Sequence, residues 1–345
     1  MTNRVAIIIT TYDGSKWIKQ CLSSVFRSVH ENCDVFVVDN HSSDDTVDMV
    51  RTHFPQTEVI PLSENRGFCG GNNVGMRHAV ESGYDMIALL NQDTVVTEGW
   101  LGALIDAAGG KDVGAAQSLL LLADDPSRVN TSGNILHYLG FGHIGGYREF
   151  TSEYDNGPVR DIGYASGAAV LYKSSMLKKI GLFDESYFSY HEDLDLSWRA
   201  RIAGYRVVVA PASRVLHHYS FRRNKNLLYW SERNRLITLC KNYQLRTLIV
   251  LAPVCLSIEL AMIIYSIVAG FFHKKLWSYV YVILRMPSIM ASRRHIRSFR
   301  ATNDKDIVRT MAARLEFDEM RTPFAFGIMN YFLSVYYRAA LWLVA

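Results

Sequence analysis

Cysteine is sparse in this 345-residue chain: Cys21, Cys33, Cys69, Cys240 and Cys255 are odd in number and form no Cys-x-x-Cys pair. That argues against a disulfide framework and a zinc cluster, and fits a reducing cytosol. No basic run is interleaved with stacking aromatics, so nothing calls for a nucleic-acid partner. The first apolar run, Val5 to Ile9, has five residues, too few for the apolar region of a signal peptide. Repeats and low-complexity tracts are missing as well. Charged residues make up 20% and hydrophobic ones 49%, which excludes wholesale disorder. A mean hydropathy of +0.02 excludes a polytopic membrane protein. At about 150 residues per domain the length suggests two domains, or one large α/β domain with an appendage.

What is present begins with alternating strands and helices. Val5 to Ile9 is a β-branched run, the pattern of a parallel strand covered on both faces. A helix is predicted over Ser15 to Val29, a strand over Val35 to Val38 ending at Asp39, and a helix over Asp44 to Phe54 capped by Ser42 or Ser43. A short strand at Val59-Ile60, a Gly-rich helix from Gly67 to Ser82 and a strand from Met86 to Leu90 complete the series. Such β-α-β repetition means a doubly wound sheet, whose ligands bind beyond the carboxyl ends of the strands. Thr10, Thr11, Asp39 and Asp93 are therefore the first suspects. From about 110 to 165 the pattern weakens to loops and short irregular strands. Strands at Ala168 to Tyr172 and Tyr205 to Val209, a helix at Asp193 to Ala203 and a β-like Arg214 to Leu216 follow. Beyond Tyr229 the chain reads as helical.

The polar clusters each admit two readings. Asp39 opens Asp39-Asn40-His41-Ser42-Ser43-Asp44, which a turn and helix cap explain equally well. Asp93 follows a strand too apolar for a surface edge, where a carboxylate needs a partner. A hard divalent cation bridging phosphates is the natural one; the alternative is a helix cap. Glu192, Asp193 and Asp195 crowd like charges, which raises at least one pKa and creates a candidate base, or else simply suits a helix N-terminus. Asp195 and Arg199 have the spacing of a helical ion pair. His217-His218 after a strand is a candidate metal ligand. Gly67-Phe68-Cys69-Gly70-Gly71-Asn72-Asn73 lacks the Lys-Ser/Thr of a P-loop, although its glycines permit close backbone approach and Arg66 beside them suits a phosphate.

Taken together, the segments resemble the family 2 inverting glycosyltransferases. The matching pieces are Ile9-Thr10-Thr11-Tyr12, Val37 to Asp44, Asn65 to Asn73, Leu90-Asn91-Gln92-Asp93-Thr94, Ser166 to Ala169, and Gly181 to Glu185 running into Glu192 to Arg199. They cover roughly residues 4–240, and six pieces in order are highly specific. The pattern is similar to the bacterial rhamnosyltransferase-like branch that builds O-antigen and other cell-surface polysaccharides. The resemblance implies an α/β GT-A fold: a doubly wound mixed sheet with helices on both faces, its nucleotide-binding part about 1–110 and its acceptor part about 111–240. It implies a nucleoside-diphosphate sugar donor, dTDP-L-rhamnose among the candidates, a glycan or polyprenyl-diphosphate-linked acceptor, and Mg²⁺ or Mn²⁺. Thr10, Thr11, Tyr12 and Asp39 match base- and ribose-holding positions, and Asn40, Arg66, Gly67, Asn73 and Asn91 fall in the same donor-binding motifs. Asp93 matches the last residue of the Asp-x-Asp metal motif, whose first position here is Asn91. Asp193 matches the general base, with Glu192 its competitor. His217 matches a histidine that can join the metal-diphosphate site, with His218 as runner-up.

The rest of the chain differs in character. Residues 1–240 carry a formal balance of −4, and residues 241–345 one of +8. Leu248 to Phe272 contains one charge, Glu259, and is long enough to span a bilayer. Glu259, Pro253 and the arginines Arg285, Arg293, Arg294, Arg297 and Arg300 argue against a simple span, so a re-entrant pair with Leu276–Ala291 or interfacial helices fit better. Phe324 to Ala345 is a further interfacial candidate. A helical, membrane-associating tail over 241–345 on the cytosolic face of the inner membrane is the expectation; a buried helical subdomain of a soluble protein is the alternative. Two other classes compete. A nucleotidyltransferase requires a Gly-rich basic loop after the first strand, which is absent. A non-catalytic sugar-nucleotide-binding or scaffold protein would dispense with Asp93 or Asp193, and both are present.

Overall fold

A β-branched apolar run with no polar interruption has one stable home, a strand covered on both faces. Val5–Thr11 (β1) occupies it, with Val5 through Ile9 essentially inaccessible to solvent in a computed structural model that describes residues 3–28, 32–155, 157–219, 225–316 and 324–344. The predicted helix end at Val29 and the final Ala345 lie outside the described residues. The elements that follow are α1 (Ile18–Ser28), β2 (Cys33–Asp39), α2 (Thr46–His53), β3 (Glu58–Pro61), α3 (Gly67–Glu81), β4 (Met86–Asn91), β5 (Thr94–Val96) and α4 (Trp100–Ala107). Next come β6 (Val113–Leu122), β7 (Val129–Thr131), β8 (Ile135–Leu136), β9 (Gly142–His143), β10 (Arg160–Asp161), β11 (Ala169–Lys173), α5 (Ser174–Ile180), α6 (Glu192–Ile202) and β12 (Arg206–His217). Among the described residues the chain closes with the helices α7 (Lys225–Asn242), α8 (Leu245–Val268), α9 (Phe272–Leu284), α10 (Met286–Phe299), α11 (Asp304–Arg309) and α12 (Phe324–Leu343).

The main sheet runs β3-β2-β1-β4-β11-β6-β12-β10. The β3-β2-β1-β4 half is parallel, β11 is antiparallel to both of its neighbours, and β6 is parallel to β12. The sheet is therefore mixed, with its wound half at the N-terminus, as the resemblance implies. Its core is aliphatic: Ile7, Ile9, Leu90, Leu171 and Val208 pack with Ile18, Leu22 and Val25 of α1.

Three local readings need correction. The weak stretch after residue 110 contains β6, ten wholly buried residues at the centre of the sheet. Its sequence, Val-Gly-Ala-Ala-Gln-Ser and four leucines, carries one β-branched residue, so propensity gives no strand signal. The two strands expected at 205–209 and 214–216 are one strand, β12, whose register shifts between Ala210 and Arg214 around Pro211. A bulge is where a strand interior tolerates proline. Finally, α2 starts at Thr46, and Asp44 rather than Ser42 or Ser43 accepts from the Thr46 amide, at 3.1 Å.

By its internal contacts the chain divides into two units: Met1–Asn134 with Ile144–Ala200 and Tyr205–Ser220, and Ile135–His143 with Arg201–Gly204 and Phe221–Ala345. The second unit contains α7 through α12. The apolar run read over Leu248 to Phe272 is not one helix. α8 ends before Gly270, whose φ of +72° suits the left-handed backbone of a helix end, and Phe272 opens α9. Leu276–Ala291 is likewise broken, at Arg285, before Pro287 in the first turn of α10.

Candidate active site

The strand ends place the suspects side by side. Thr10 pairs with Asn91 across β1 and β4, and Thr11 pairs with Asp39 across β1 and β2. Thr10 Oγ1 and Asp39 Oδ1 are buried without a hydrogen-bond partner among the described residues. A buried polar atom left unpaired is costly, so both atoms are free to take a hydrogen bond from a ligand at the strand ends. Asp39 Oδ2 accepts from the Ser42 amide at 3.2 Å, which fixes the carboxylate at the mouth of the site. Tyr12 is 48% exposed, and its amide donates to Gln92 Oε1 at 3.0 Å. Thr11 Oγ1 donates to the same oxygen. Gln92 thus ties the end of β1 to the β4–β5 turn, a role its flanking residues Asn91 and Asp93 obscure in the sequence.

Asp93 and His217 come together. His217 closes β12 opposite Thr94 of β5, and its Nε2 lies 3.5 Å from Asp93 Oδ1. His217 Nδ1 is 2.9 Å from Asn130 Oδ1, a contact that orients the ring with Nε2 toward Asp93. Asn130 sits on β7, inside the stretch whose pattern is weak, and no local signal marks it. His218 turns elsewhere: its ring packs on Trp17 with centroids 4.4 Å apart, while its amide donates to the Asp93 carbonyl at 3.0 Å. Among the described residues no three His, Cys, Asp or Glu side chains gather to hold a metal. Asp93 with His217 therefore suits an ion whose remaining ligands come from substrate phosphate and water, as Mg²⁺ and Mn²⁺ sites often do.

The third group is at the start of α6. Asp193 Oδ2 accepts from the Gly167 amide at 3.3 Å, and Oδ1 from the Leu194 amide at 2.7 Å. The next residue, Ala168, accepts at its carbonyl from the Asn91 amide, at 2.9 Å. One short run of backbone therefore links Asp193 to the Asn91–Asp93 turn. Burial pushes the Asp193 carboxyl up to about 6, against the pull of its amide donors. Glu192 is driven well above the ordinary carboxylate range, by burial first and then by the Asp193 charge. Phe188, Tyr190 and His191, just before this pair, all have φ between 64° and 70°. Left-handed backbone at three non-glycine residues is strain of the kind that accumulates at functional sites.

Other motif residues hold the frame. Asn40 donates to Asn65 Oδ1 at 3.1 Å and the Gly67 carbonyl at 3.0 Å, and accepts from the Arg66 amide at 2.9 Å. Asn73 donates to the Phe183 carbonyl and Glu185 and accepts from the Phe183 amide. Both amides are occupied within the protein, so they position loops. Arg66 pairs with Glu185 at 2.7 Å. The glycines serve packing: a Cβ on Gly71 would lie 2.5 Å from Thr10 Cγ2, and one on Gly75 2.5 Å from Ile8 Cγ2. They let α3 settle onto β1. Asp195 and Arg199 form the expected ion pair at 2.9 Å, fully buried, and Arg199 also donates to the carbonyls of Ile180 and Leu182 at 2.7 Å each.

A family model described as "Glycosyl transferase family 2" matches residues 6–181. An N-acetylglucosaminyl-diphospho-decaprenol L-rhamnosyltransferase of Mycobacterium tuberculosis is 26% identical over 236 residues, 63% of this chain and 77% of the relative. Among solved structures, GalNAc-T7 with UDP, GalNAc and Mn²⁺ superposes with a TM-score of 0.56 at 10% identity, over 69% of this chain and 47% of that one. A mannosyltransferase from Pyrobaculum calidifontis in complex with GDP-Man and Mn²⁺ gives 0.50 at 15% identity, over 99% and 86%. These structural likenesses bear on the fold.

Proposed function

We propose, from the premise that the chain belongs to glycosyl transferase family 2 and is a nucleotide-sugar-dependent glycosyltransferase, that it transfers L-rhamnose from dTDP-L-rhamnose with inversion. The acceptor is a hydroxyl of a polyprenyl-diphosphate-linked glycan in cell-surface polysaccharide synthesis. The sugar and the polyprenyl-linked acceptor follow the M. tuberculosis relative's name, and the dTDP carrier follows the family resemblance. The observation that carries the catalytic reading is Asp193: a carboxylate raised to about 6, held by two backbone amides and connected through Gly167–Ala168 to the Asp93 turn.

The chemistry needs such an arrangement. An acceptor hydroxyl is too weak an acid to ionise at neutral pH, so a fixed carboxylate must take its proton as the oxygen attacks. A pKa near 6 leaves Asp193 ionised at pH 7 yet more basic than an ordinary aspartate. Burial and the neighbouring Asp193 charge favour the neutral form of Glu192, which lessens like-charge crowding at Asp193. Thr10, Thr11 and Asp39 line the donor side, where the unmade hydrogen bonds of Thr10 and Asp39 await the nucleoside. Asp93 and His217 would hold Mg²⁺ or Mn²⁺, which when bound supplies positive charge against the departing diphosphate. Both neighbouring structures contain Mn²⁺, which supports that expectation. One base and one in-line attack give inversion without a covalent intermediate.

The test is a donor panel of dTDP-, UDP- and GDP-sugars with a polyprenyl-diphosphate N-acetylglucosamine acceptor, the product's anomeric configuration being read by NMR. Rhamnose transfer from dTDP-L-rhamnose alone is expected. Efficient transfer from a UDP-hexose instead would overturn the donor assignment. Asp93→Ala should remove the Mn²⁺-dependent part of nucleoside-diphosphate affinity in calorimetry; an unchanged metal effect would release Asp93 from this role.

A further inference from the structure

α8 is an inside-out helix. Its solvent-facing stripe is apolar: Leu245, Ile249, Leu256, Leu260, Ile264, Ile267 and Val268 are 56–82% exposed. Within its most apolar 18-residue window only 17% is buried, which is not how a core helix sits. Arg246 in the first turn is exposed, whereas Glu259, the charge within the apolar stretch, is turned inward. Glu259 pairs there with Arg235 and with Lys275 at 2.7 Å, and accepts from Tyr279 at 2.6 Å. Glu232 joins the same cluster through Arg235 and Lys275. Arg235 and Lys275 are each 1% exposed.

The neighbouring helices repeat the inversion. α12 exposes Ile328, Tyr331, Phe332, Val335 and Trp342, which share one face through spacings of three, four and seven, and Tyr336 of α12 donates to the Val250 carbonyl of α8. α9 exposes Leu276, Trp277, Ile283 and Leu284. α10, which follows directly, exposes Arg294 and Arg297 instead. A soluble monomer leaves open only a few hundred Å² of contiguous apolar surface, whereas three helices here turn large apolar side chains to solvent. Exposed tryptophan and tyrosine with arginine alongside complement an interface of acyl chains beneath anionic headgroups.

We infer that α8, α9 and α12 form a monotopic platform that lies in one leaflet of an anionic lipid bilayer, with α8 parallel to the membrane surface. At about 1.5 Å per residue α8 is about 36 Å long, enough to cross a bilayer. Spanning would carry Glu259 to the hydrocarbon centre with its buried partners Arg235 and Lys275, and the cost of intramembrane charge opposes that. Lying flat leaves the ion cluster on the protein side and sinks only the apolar stripe. The inference does not depend on the acceptor being lipid-linked.

The experiment uses full-length protein carrying an environment-sensitive fluorescent amino acid, introduced by codon suppression singly at Ile249, Leu256 or Ile264. Vesicles of phosphatidylcholine with phosphatidylglycerol, free of acceptor, carry a spin label either near the headgroup or near the chain end. Equal quenching of all three sites by the shallow label, and little by the deep one, is expected. Deep quenching concentrated at Leu256 would mean a spanning helix, and no quenching at any site would mean a partner other than lipid; each overturns the proposal. Arg294→Ala with Arg297→Ala should weaken vesicle partition about 30-fold, at about 1 kcal/mol for each basic residue near an anionic surface. Unchanged partition would also overturn it. Nucleoside-diphosphate binding, measured on every sample, separates failure of the platform from failure of the enzyme's fold or of its donor site.

Discussion

Asp193, the proposed base, is held in a state that costs the fold stability. Its carboxyl titrates near 6 in the folded chain against 3.8 ordinarily, so the fold favours the protonated form. Ionisation therefore destabilises the protein. The penalty is absent below about pH 4, grows as pH rises, and is complete above about pH 6, at no more than about 3 kcal/mol. Asp193→Asn, a neutral isostere, should melt at a higher temperature than wild type at pH 8 and at the same temperature near pH 3.5. The same substitution should lower transfer by about 10²–10⁴-fold while nucleotide affinity holds. In wild type, kcat/KM should rise with pH through about 6. Calorimetric melts and a pH–rate profile check these together. Should Glu192→Gln abolish transfer and Asp193→Asn spare it, the two neighbouring carboxyls have exchanged roles.

Among the elements, α3 shows how tightly local sequence and site are joined. Gly67 opens the helix with φ at +69°, and a Cβ there would stand 2.4 Å from the Phe188 carbonyl. Gly67→Ala combines left-handed strain with a backbone clash just before the strained turn at Tyr190 and His191. A loss of about 2–4 kcal/mol is expected, with donor binding impaired because the Asn40–Gly67 bond holds that loop; thermal melting and calorimetry would register both. The parallel half of the sheet was legible because β-branched runs and Asx/Gly turns each speak locally. β6 was not, since small residues and leucines acquire their strand identity only from β11 and β12 on either side. The same holds within the site. Thr10, Asp39, Asp93 and Asp193 lie in motifs, whereas Gln92, Asn130 and Gln117, whose Oε1 accepts from the Ser166 amide at 2.7 Å, act through partners 49–87 positions away. Asn40 and Asn73 look like ligand-binding residues from their motifs, yet their amides are used within the protein. Helix ends in the tail depended on Gly270 and Arg285, which the length of an apolar run does not reveal.

Over the molecule as a whole, charge and apolar surface are unevenly spread. The stretch 241–345 has a formal balance of +8, and its helices turn leucine, isoleucine, phenylalanine and tryptophan outward. Attraction between basic residues and anionic headgroups decays over the Debye length, about 10 Å in 0.1 M salt and about 3 Å in 1 M. Burial of leucine and isoleucine side chains in acyl chain is insensitive to such screening, at about 25 cal/mol per Å² removed from water. The two contributions therefore separate in a fractionation experiment. Full-length protein should sediment with membranes, stay there through washes in high salt and in alkaline carbonate, and enter solution only with detergent. Release by salt alone would leave electrostatics as the whole of the attachment. Recovery as a detergent-free monomer without any membrane step would mean that the exposed stripes of α8, α9 and α12 are covered within the protein itself.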